Sequence, residues 1–255
     1  RLAHLLLLLH PKYLLSLTWR HPSIYKKLVT ALLASHLNHV VYYEDMPISI
    51  SADYKKAFKP TDIRGVYPTE LDEEVVYLIA RAFVDEYKHK AVLVARDMRL
   101  SSDSLHSAFC RGIVDAGADV VDLGLVHTPV LYFASGTLHL PGVVITASHS
   151  PKEFNGLKFV LADAIPLTET FGLKQIRRRV EKGIFNEAAK LGKIKKKDVL
   201  KAYQKFVFKG IKIKGLEKMK VVADIGNGMA AILMPLLKEK LPLQITELFS
   251  DLDGR

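Results

Sequence analysis

Hydrophobic positions in the chain change their spacing from one segment to the next, and the changes predict alternating helices and strands. Beyond residue 69 the apolar residues recur every three or four positions, which predicts a helix with one buried face. Short apolar runs at 91–95, 120–123 and 142–145 predict buried strands. This alternation is typical of βαβ units. We therefore expect an α/β fold, with a mainly parallel mixed sheet and helices on both of its faces.

Hydroxyl side chains mark where helices are expected to begin. Thr69 precedes a run of acids, Ser102 precedes an apolar face, and Thr128 precedes Pro129. Ser and Thr side chains bind free N–H groups at helix starts, so we expect all three to be caps. Further helices are expected over about 173–181 and 198–207.

The alternation restarts beyond a lysine-rich stretch near residue 196. A predicted strand at 220–224, a helix at 229–239 and a strand at 244–248 form one βαβ unit. So few residues cannot bury a core of their own. We expect residues 46–195 to form one domain and residues 196–255 to be the incomplete start of a second domain of a longer parent chain. Residues 1–45, rich in Leu and His and placed before Met46, are expected to be an atypical extension that is not native.

Composition narrows the expected partners. The net charge is +10, and much of the excess lies in two basic runs, at residues 177–179 and 193–197. Because no aromatic residues alternate with these runs, they favour an anionic small substrate over nucleic acid. No apolar stretch reaches the ~18 residues needed to cross a membrane. The single cysteine, Cys110, excludes an intrachain disulfide and fits a reducing cytoplasm.

The candidate chemistry is densest in residues 146–159, Thr-Ala-Ser-His-Ser-Pro-Lys-Glu-Phe-Asn-Gly-Leu-Lys-Phe. They follow a predicted strand, and ligands of open α/β sheets bind at the carboxyl ends of strands. Ser148 and His149 suggest a nucleophile and a proton handler, although adjacent side chains of an extended segment point apart. Asn155 and Lys158 indicate that an anion is bound. An acyl-transfer triad is not favoured, because the Gly-x-Ser-x-Gly turn is absent.

Two other loops carry groups suited to phosphate. Arg64 lies in Asp-Ile-Arg-Gly at 62–65, and a guanidinium matches phosphate oxygens two at a time. Arg96, Arg99 and Ser101 follow a predicted strand and open a predicted helix, where anions bind well. A capping loop with Asp97 paired to an arginine explains the same residues equally well.

A dinucleotide site is a weaker interpretation. Residues 226–231, Gly-Asn-Gly-Met-Ala-Ala, match the spacing of the NAD motif, and Asp251 follows further along. However, Asp224 directly before the turn would repel a pyrophosphate. An NAD-linked oxidoreductase therefore stays a lesser alternative, and we expect Asp251 and Asp253 to form a polar turn.

Five segments, in this order, resemble the α-D-phosphohexomutase family, which includes phosphoglucomutase and phosphomannomutase. They are residues 58–65, 95–102, 121–133, 146–159 and 221–230, and the resemblance extends over about 54–255. The Thr-Ala-Ser-His-x-Pro string is the most specific of them. Ser150 stands where the family usually has Asn, Thr61 where an aromatic residue is common, and Ala95 where Gly is frequent.

The resemblance implies that Ser148 is a phosphoserine. Its phosphate would pass to a hexose monophosphate to give a bisphosphate, exchanging hexose 1-phosphate with hexose 6-phosphate, with glucose and/or mannose as the sugar. Arg64 and Lys158 would neutralise phosphate oxygens, and Lys158 or His149 would help to move a proton. The substrate-binding or phosphate-binding residues would be Arg64, Arg96, Arg99, Ser101, Asn155 and Lys158.

The family also binds Mg²⁺, through the phosphoserine and three aspartates of an Asp-Gly-Asp-Gly-Asp-Arg-type loop. The sequence does not contain that loop. We expect it in carboxyl-terminal domains of the parent chain, and we expect these 255 residues alone to be inactive. The alternative is a non-catalytic module that binds a sugar phosphate or a partner and retains only the first domain.

Overall fold

A computed structural model describes residues 53–217 and 219–255, so the expectation for residues 1–45 lies outside the described part of the chain. The strands are β1 (Ile63–Val66), β2 (Ala91–Arg96), β3 (Asp119–Leu125), β4 (Gly142–Ile145), β5 (Phe154–Leu161), β6 (Ile165–Pro166), β7 (Ile194–Lys196), β8 (Lys220–Asp224) and β9 (Gln244–Leu248). The α-helices are α1 (Glu73–Tyr87), α2 (Ser102–Asp115), α3 (Thr128–Leu138), α4 (Leu173–Lys182), α5 (Leu200–Val207) and α6 (Met234–Lys240). Short 3₁₀ helices cover Tyr54–Ala57, Ala162–Ala164 and Met229–Ile232.

The large sheet has the strand order β1-β5-β4-β2-β3-β7, with β6 paired to β5. Strands β4, β2, β3 and β7 pair in parallel, whereas β5 is antiparallel to β4, β1 and β6. It follows that β5 alone runs against the other six strands. The prediction of a mainly parallel mixed sheet is confirmed.

Helices cover both faces of this sheet, as predicted. Val92 and Val94 of β2 belong to the core beneath α1, α2 and α4. Leu93 and Ala95 of the same strand belong to the core beneath α3 and α5. Successive strand residues point to opposite faces, so a strand buried on both sides needs an unbroken apolar run.

A glycine lets the one reversed strand approach its neighbours closely. A Cβ atom at Gly156 of β5 would lie 2.2 Å from the carbonyl oxygen of Ile63 and 3.0 Å from that of Thr146. No side chain fits that gap, so Gly156 allows β5 to pair with β1 on one side and to meet the end of β4 on the other. This pairing brings the Asp-Ile-Arg-Gly segment next to the serine loop.

The segment after α5 forms a small separate sheet in which β8 and β9 pair in parallel. None of the residues of these two strands is buried, and Val222 is 67% exposed. This small sheet fits the expected incomplete second βαβ domain, since parallel strands are normally covered on both faces. The expected boundary between residues 195 and 196 falls within β7, a strand of the large sheet, and the division into domains stays a prediction.

The three predicted helix caps were wrong. Helix α1 begins after Asp72, whose side chain accepts a hydrogen bond from the Val75 amide at 2.9 Å, and Thr69 lies in the turn before it. Ser102 is already the first residue of α2, and its hydroxyl donates to Asp97. Thr128 is the first residue of α3, which follows His127 and has no side-chain cap bond. In each case the hydroxyl lies outside the cap position that the backbone turn dictates.

Candidate active site

The loop that carries Ser148 leaves the sheet at the carboxyl end of β4. Beside it, the Asp97 amide donates to the Ile145 carbonyl at 2.9 Å, which joins the ends of β2 and β4. The Thr146 amide donates to the Gly156 carbonyl at 2.9 Å and ties the loop to β5. Ser148 and His149 are exposed directly after this anchored point. The predicted nucleophile therefore lies on a fixed edge of the sheet and is accessible to solvent.

The Ser148 backbone adopts a left-handed conformation, with φ at 55°. A residue with a side chain pays about 1–3 kcal/mol for such a strained backbone, and strain of this kind concentrates at functional sites. Local bonds hold the turn. The Ser148 amide donates to Thr146 Oγ1 at 2.9 Å, and the Ser150 amide donates to the Ala147 carbonyl at 3.0 Å.

Arg64 and Lys158 meet at one buried carboxylate. Asp62 Oδ2 accepts from Arg64 Nη2 at 2.6 Å and from Lys158 Nζ at 3.0 Å. The Asp62 side chain is 4% exposed, whereas the two cations are 22% and 23% exposed. One negative charge faces two positive charges, so the cluster presents excess positive charge to the solvent beside the loop. Such a surface attracts a phosphate.

Arg64 also connects this cluster to the serine loop. Its Nη1 donates to Ser150 Oγ at 3.1 Å, so the residue that replaces the usual Asn of the family has a defined partner. Its Nε is buried and, among the described residues, has no hydrogen-bond acceptor. Arg64 therefore contacts the loop at a residue two positions after the candidate nucleophile and has one unused, buried donor.

A cavity of about 260 Å³ lies beside Ser148. It is lined by the ends of β2 and β4, by the start of α3 and by the turn after β8: Asp97, Thr146, Ser148, His127, Thr128, Gly228 and Met229. Burial lowers the pKa of His127, because desolvation penalises the charged imidazole, so the ring is neutral near pH 7. The sequence did not single out His127. Its one signal was its place two residues after the end of β3, at the same sheet edge as Ser148.

Two of the predicted binding residues, Asn155 and Arg99, face into the protein. A third, Ser101, contacts Asn155. Asn155 is fully buried, and its Nδ2 donates to Ser101 Oγ at 2.8 Å and to Ser102 Oγ at 3.0 Å. Arg99 is 9% exposed and donates to backbone carbonyls of the serine loop. The structure thus places Arg99, Ser101 and Asn155 beneath the loop, and Ser148, His149, Arg64 and Lys158 at its surface.

Arg96 lies in a different groove. Its Nη2 is 3.1 Å from Asp103 Oδ1, and it lines a cavity of about 530 Å³ together with His106 and Asp122. Ser148 does not line that cavity. The phosphate-binding role expected for Arg96 therefore has no support from its neighbours in the described structure.

Two further candidates from the sequence are a metal site and the turn proposed for a dinucleotide. Among the described residues, no group of three or more His, Cys, Asp and Glu side chains could hold a metal ion. Asp224 Oδ1 accepts from the Gly226 amide at 3.0 Å, which occupies the first donor of the turn proposed for NAD.

Within the same described ranges, no helix is both long and apolar enough to cross a bilayer.

The described residues thus form an α/β domain with an exposed serine and two cations at the carboxyl edge of its sheet, an arrangement that is suited to binding phosphate. Residues 55–187, just over half of the chain, match the family model described as phosphoglucomutase/phosphomannomutase, alpha/beta/alpha domain I. The chain belongs to the phosphoglucomutase/phosphomannomutase family.

Individual relatives agree with the family match. The chain is 35% identical over 208 residues to a phosphomannomutase of Salmonella typhimurium, covering 77% of this chain and 45% of that protein. It is 37% identical over 201 residues to a phosphomannomutase/phosphoglucomutase of Pseudomonas aeruginosa, covering 77% and 42%. A solved phosphoglucomutase/phosphomannomutase family protein of Burkholderia thailandensis superposes with a TM-score of 0.70 at 37% identity, covering 78% and 45%. The chain spans less than half the length of these relatives.

Proposed function

We propose that the protein is a phosphohexomutase that interconverts hexose 1-phosphate and hexose 6-phosphate, with glucose and/or mannose as the sugar. One observation carries the proposal. An exposed serine with a left-handed backbone stands at the carboxyl end of a central strand, beside a cation cluster that is not fully neutralised. The names of the relatives, phosphomannomutase and phosphoglucomutase, support the same activity and substrate class.

The reaction would begin with phosphate on Ser148. A free hydroxyl of the bound hexose monophosphate attacks the phosphorus, the bond to the Ser148 oxygen breaks, and a hexose bisphosphate forms. After the sugar reorients, its other phosphate is transferred back to Ser148, and the isomeric monophosphate leaves. Such transfers depend mainly on positioning and on neutralising charge.

The described residues supply both requirements. Arg64 and Lys158 would neutralise phosphate oxygens, and Asp62 holds them together at 2.6 and 3.0 Å from one of its oxygens. His149, exposed next to Ser148, would take the proton of the attacking hydroxyl, and Lys158, a cation beside Asp62, would help by donating a proton to the oxygen that leaves the phosphorus. The cavity beside Ser148 would admit the sugar ring.

Mg²⁺ belongs to this proposal because the family resemblance implies it. Phosphate on Ser148 would provide one ligand, and aspartates of a loop that the 255 residues do not contain would provide the others. The described acids do not form a metal site, so no step is assigned to the ion. The remaining proposed partners are the hexose phosphate and further domains of the parent chain, without nucleic acid or membrane. The proposed cytoplasmic location rests on the lone Cys110.

The test uses the natural full-length protein with a radiolabelled hexose bisphosphate. Wild type and the surface control Ser107→Ala are expected to incorporate label and to show mutase activity, and Ser148→Ala is expected to do neither. Peptide mapping would locate the label on residues 146–152 in the active proteins. Label that persists in Ser148→Ala, or wild type without mutase activity, would contradict the proposal.

The same assay on the 255-residue chain tests whether these residues need further domains for turnover. We expect binding of hexose phosphate without turnover, since the proposed metal ligands are not among these residues. Robust turnover by this chain alone would contradict the expectation that other domains supply residues needed for the reaction. A full-length protein that binds hexose phosphate but never transfers the phosphoryl group would favour the non-catalytic module.

A further inference from the structure

We propose that Arg99 is a positioning residue, which clamps the backbone of the serine loop and does not bind the substrate phosphate. The inference rests on the proposed function in one respect only, that Ser148 carries the phosphoryl group. It revises the phosphate-binding role that the sequence suggested for Arg99.

The guanidinium of Arg99 bonds to four backbone carbonyls of one loop. Its Nη1 donates to the Pro151 carbonyl at 2.7 Å and to the Phe154 carbonyl at 2.9 Å. Its Nη2 donates to the Ser148 carbonyl at 3.0 Å and to the Ser150 carbonyl at 2.6 Å. A single side chain thereby fixes the main chain from the candidate nucleophile to the start of β5.

These contacts leave no Nη donor for a substrate. A guanidinium has five N–H groups, four of them on the two Nη atoms. The four carbonyls account for the Nη hydrogens. Nε forms no hydrogen bond within the described residues, but it is buried and lies 3.3 Å from the carboxylate of Asp97, on the side away from solvent. A phosphate could bind the Nη atoms of Arg99 only by displacing loop carbonyls from these charge-assisted hydrogen bonds.

Asp97 holds Arg99 in place through contacts with both its backbone amide and its side chain. Asp97 is 4% exposed, and its Oδ1 accepts both from the Arg99 amide at 3.0 Å and from the Ser102 hydroxyl. The carboxylate neutralises the buried guanidinium, and Asn155 ties Ser102 to β5. Arg99 is therefore anchored to the sheet edge and to the start of α2 and cannot follow a moving ligand.

The serine loop needs such an anchor because its backbone is irregular. Carbonyls of such a loop lack the regular donors of a strand ladder, and Arg99 donates to those of Ser148, Ser150 and Pro151. The left-handed Ser148 would relax if the loop were free, since that conformation is strained. Misplacing a reacting group by about 1 Å can lower a rate by about 100-fold. The clamp thus couples a buried cation to the orientation of the nucleophile.

The first test is a kinetic comparison in the natural full-length protein. Arg99→Met and Arg99→Lys, neither of which has the planar fork, are expected to lower kcat by about 100-fold and to change KM for hexose phosphate by less than about threefold. The control is Arg81→Met, which removes a guanidinium bonded to the Asn186 carbonyl at 2.8 Å on α1 and should keep both constants. A tenfold rise in KM with kcat preserved would show that Arg99 binds substrate and would overturn the proposal.

The second test does not depend on activity. Lys152 is exposed within the clamped loop, so tryptic cleavage after it reports how often the loop opens. Cleavage is expected to accelerate by at least about tenfold in Arg99→Met and to stay at the wild-type rate in Arg81→Met, because proteolysis follows the population of the open form. If Arg99→Met does not fold, Arg99→Lys is compared instead, after its melting temperature has been checked.

The two tests separate two failures. If wild type has no mutase activity, the proposed function is wrong, and the cleavage rates still decide whether Arg99 clamps the loop. If wild type is active but cleavage after Lys152 is the same in the Arg99 variants and wild type, the clamp is wrong and the proposed function stands.

Discussion

Asp62 is the acid that organises the cations of the candidate site. A single oxygen accepts from both Arg64 and Lys158, and the carboxylate is almost completely buried. A buried charge is tolerated only when it is paired, and removing one partner leaves the others uncompensated. Asp62 is therefore expected to matter both for the stability of this edge of the sheet and for the orientation of the two cations.

We expect Asp62→Ala to lower the free energy of unfolding by about 1–3 kcal/mol, because two charge-assisted hydrogen bonds at a buried carboxylate are lost. Urea titration of the 255-residue chain measures the change. The matched control is Glu181→Ala, which removes only the exposed helical pair with Arg177 and is expected to cost at most about 0.5 kcal/mol. Equal costs for the two variants would contradict the buried role of Asp62.

The sequence could identify the chemical groups of the site but not the direction in which each one points. The spacing indicated an anion site from Ser148, Arg64 and Lys158, and the structure brings the two cations to one carboxylate. Asn155 and Arg99 belonged to the same prediction, yet they are buried under the loop. Burial depends on which neighbouring element covers a side chain, and a pattern along one strand or loop does not contain that information.

At the scale of single elements, strands were easier to predict than helix starts. The predicted strands at 142–145, 220–224 and 244–248 match β4, β8 and β9. The helix starts failed because a hydroxyl near the start of a helix does not by itself make a cap, and in α1 the carboxylate of Asp72 takes that position. In α1 the chain passes through a turn at 66–71, where the Leu71 amide bonds to the Val66 carbonyl, so the helix begins later than Thr69.

Helix α1 allows the observed cap, Asp72, to be compared directly with the predicted cap, Thr69. Asp72→Ala is expected to lower the free energy of unfolding by about 0.5–2 kcal/mol, because the Val75 amide loses its side-chain acceptor. Thr69→Ala is expected to change it by less than about 0.5 kcal/mol, because Thr69 is exposed and its carbonyl still accepts from the Asp53 amide. Both are measured by urea unfolding. A larger cost at Thr69 than at Asp72 would restore the cap predicted from the sequence.

At the scale of the whole molecule, the pattern of apolar residues predicted the α/β class, but it did not predict the order and directions of the strands in the sheet. Three parallel strands, β2, β3 and β4, form the part that the alternation predicted, whereas β7, which pairs with β3, was not predicted. The reversed strand β5 lies within the motif-rich segment, where Asn155 and Gly156 interrupt the apolar pattern. Its place between β1 and β4 depends on the contact that Gly156 permits, which is a long-range property of the folded chain.

Three partly buried imidazoles link the stability of this fold to pH. Burial lowers the pKa values of His106 and His127, and it lowers that of His89 to about 4. His89 packs between Phe83, at 4.5 Å between ring centroids, and Tyr87, at 5.5 Å. Its Nε2 is buried and has no hydrogen-bond partner among the described residues. For His106, the nearby acids Asp122 and Asp103 oppose this effect without reversing it.

The sign of the pH dependence follows from which state binds the proton. As pH falls below 6.5 the imidazole of the unfolded chain becomes charged, whereas His89 in the folded chain stays neutral until about pH 4. The unfolded state therefore binds more protons in this window, and the free energy of unfolding falls as the pH falls, by at most about 1.4 kcal/mol per pH unit for one group.

His89→Gln, which cannot be protonated, is expected to flatten this slope between pH 6.5 and pH 4. Urea titrations at half-unit steps measure it, with pH 7–8 as the internal reference, where the wild-type and variant curves should run parallel. Identical slopes below pH 6.5 would show that His89 is hydrated and titrates normally in the folded chain.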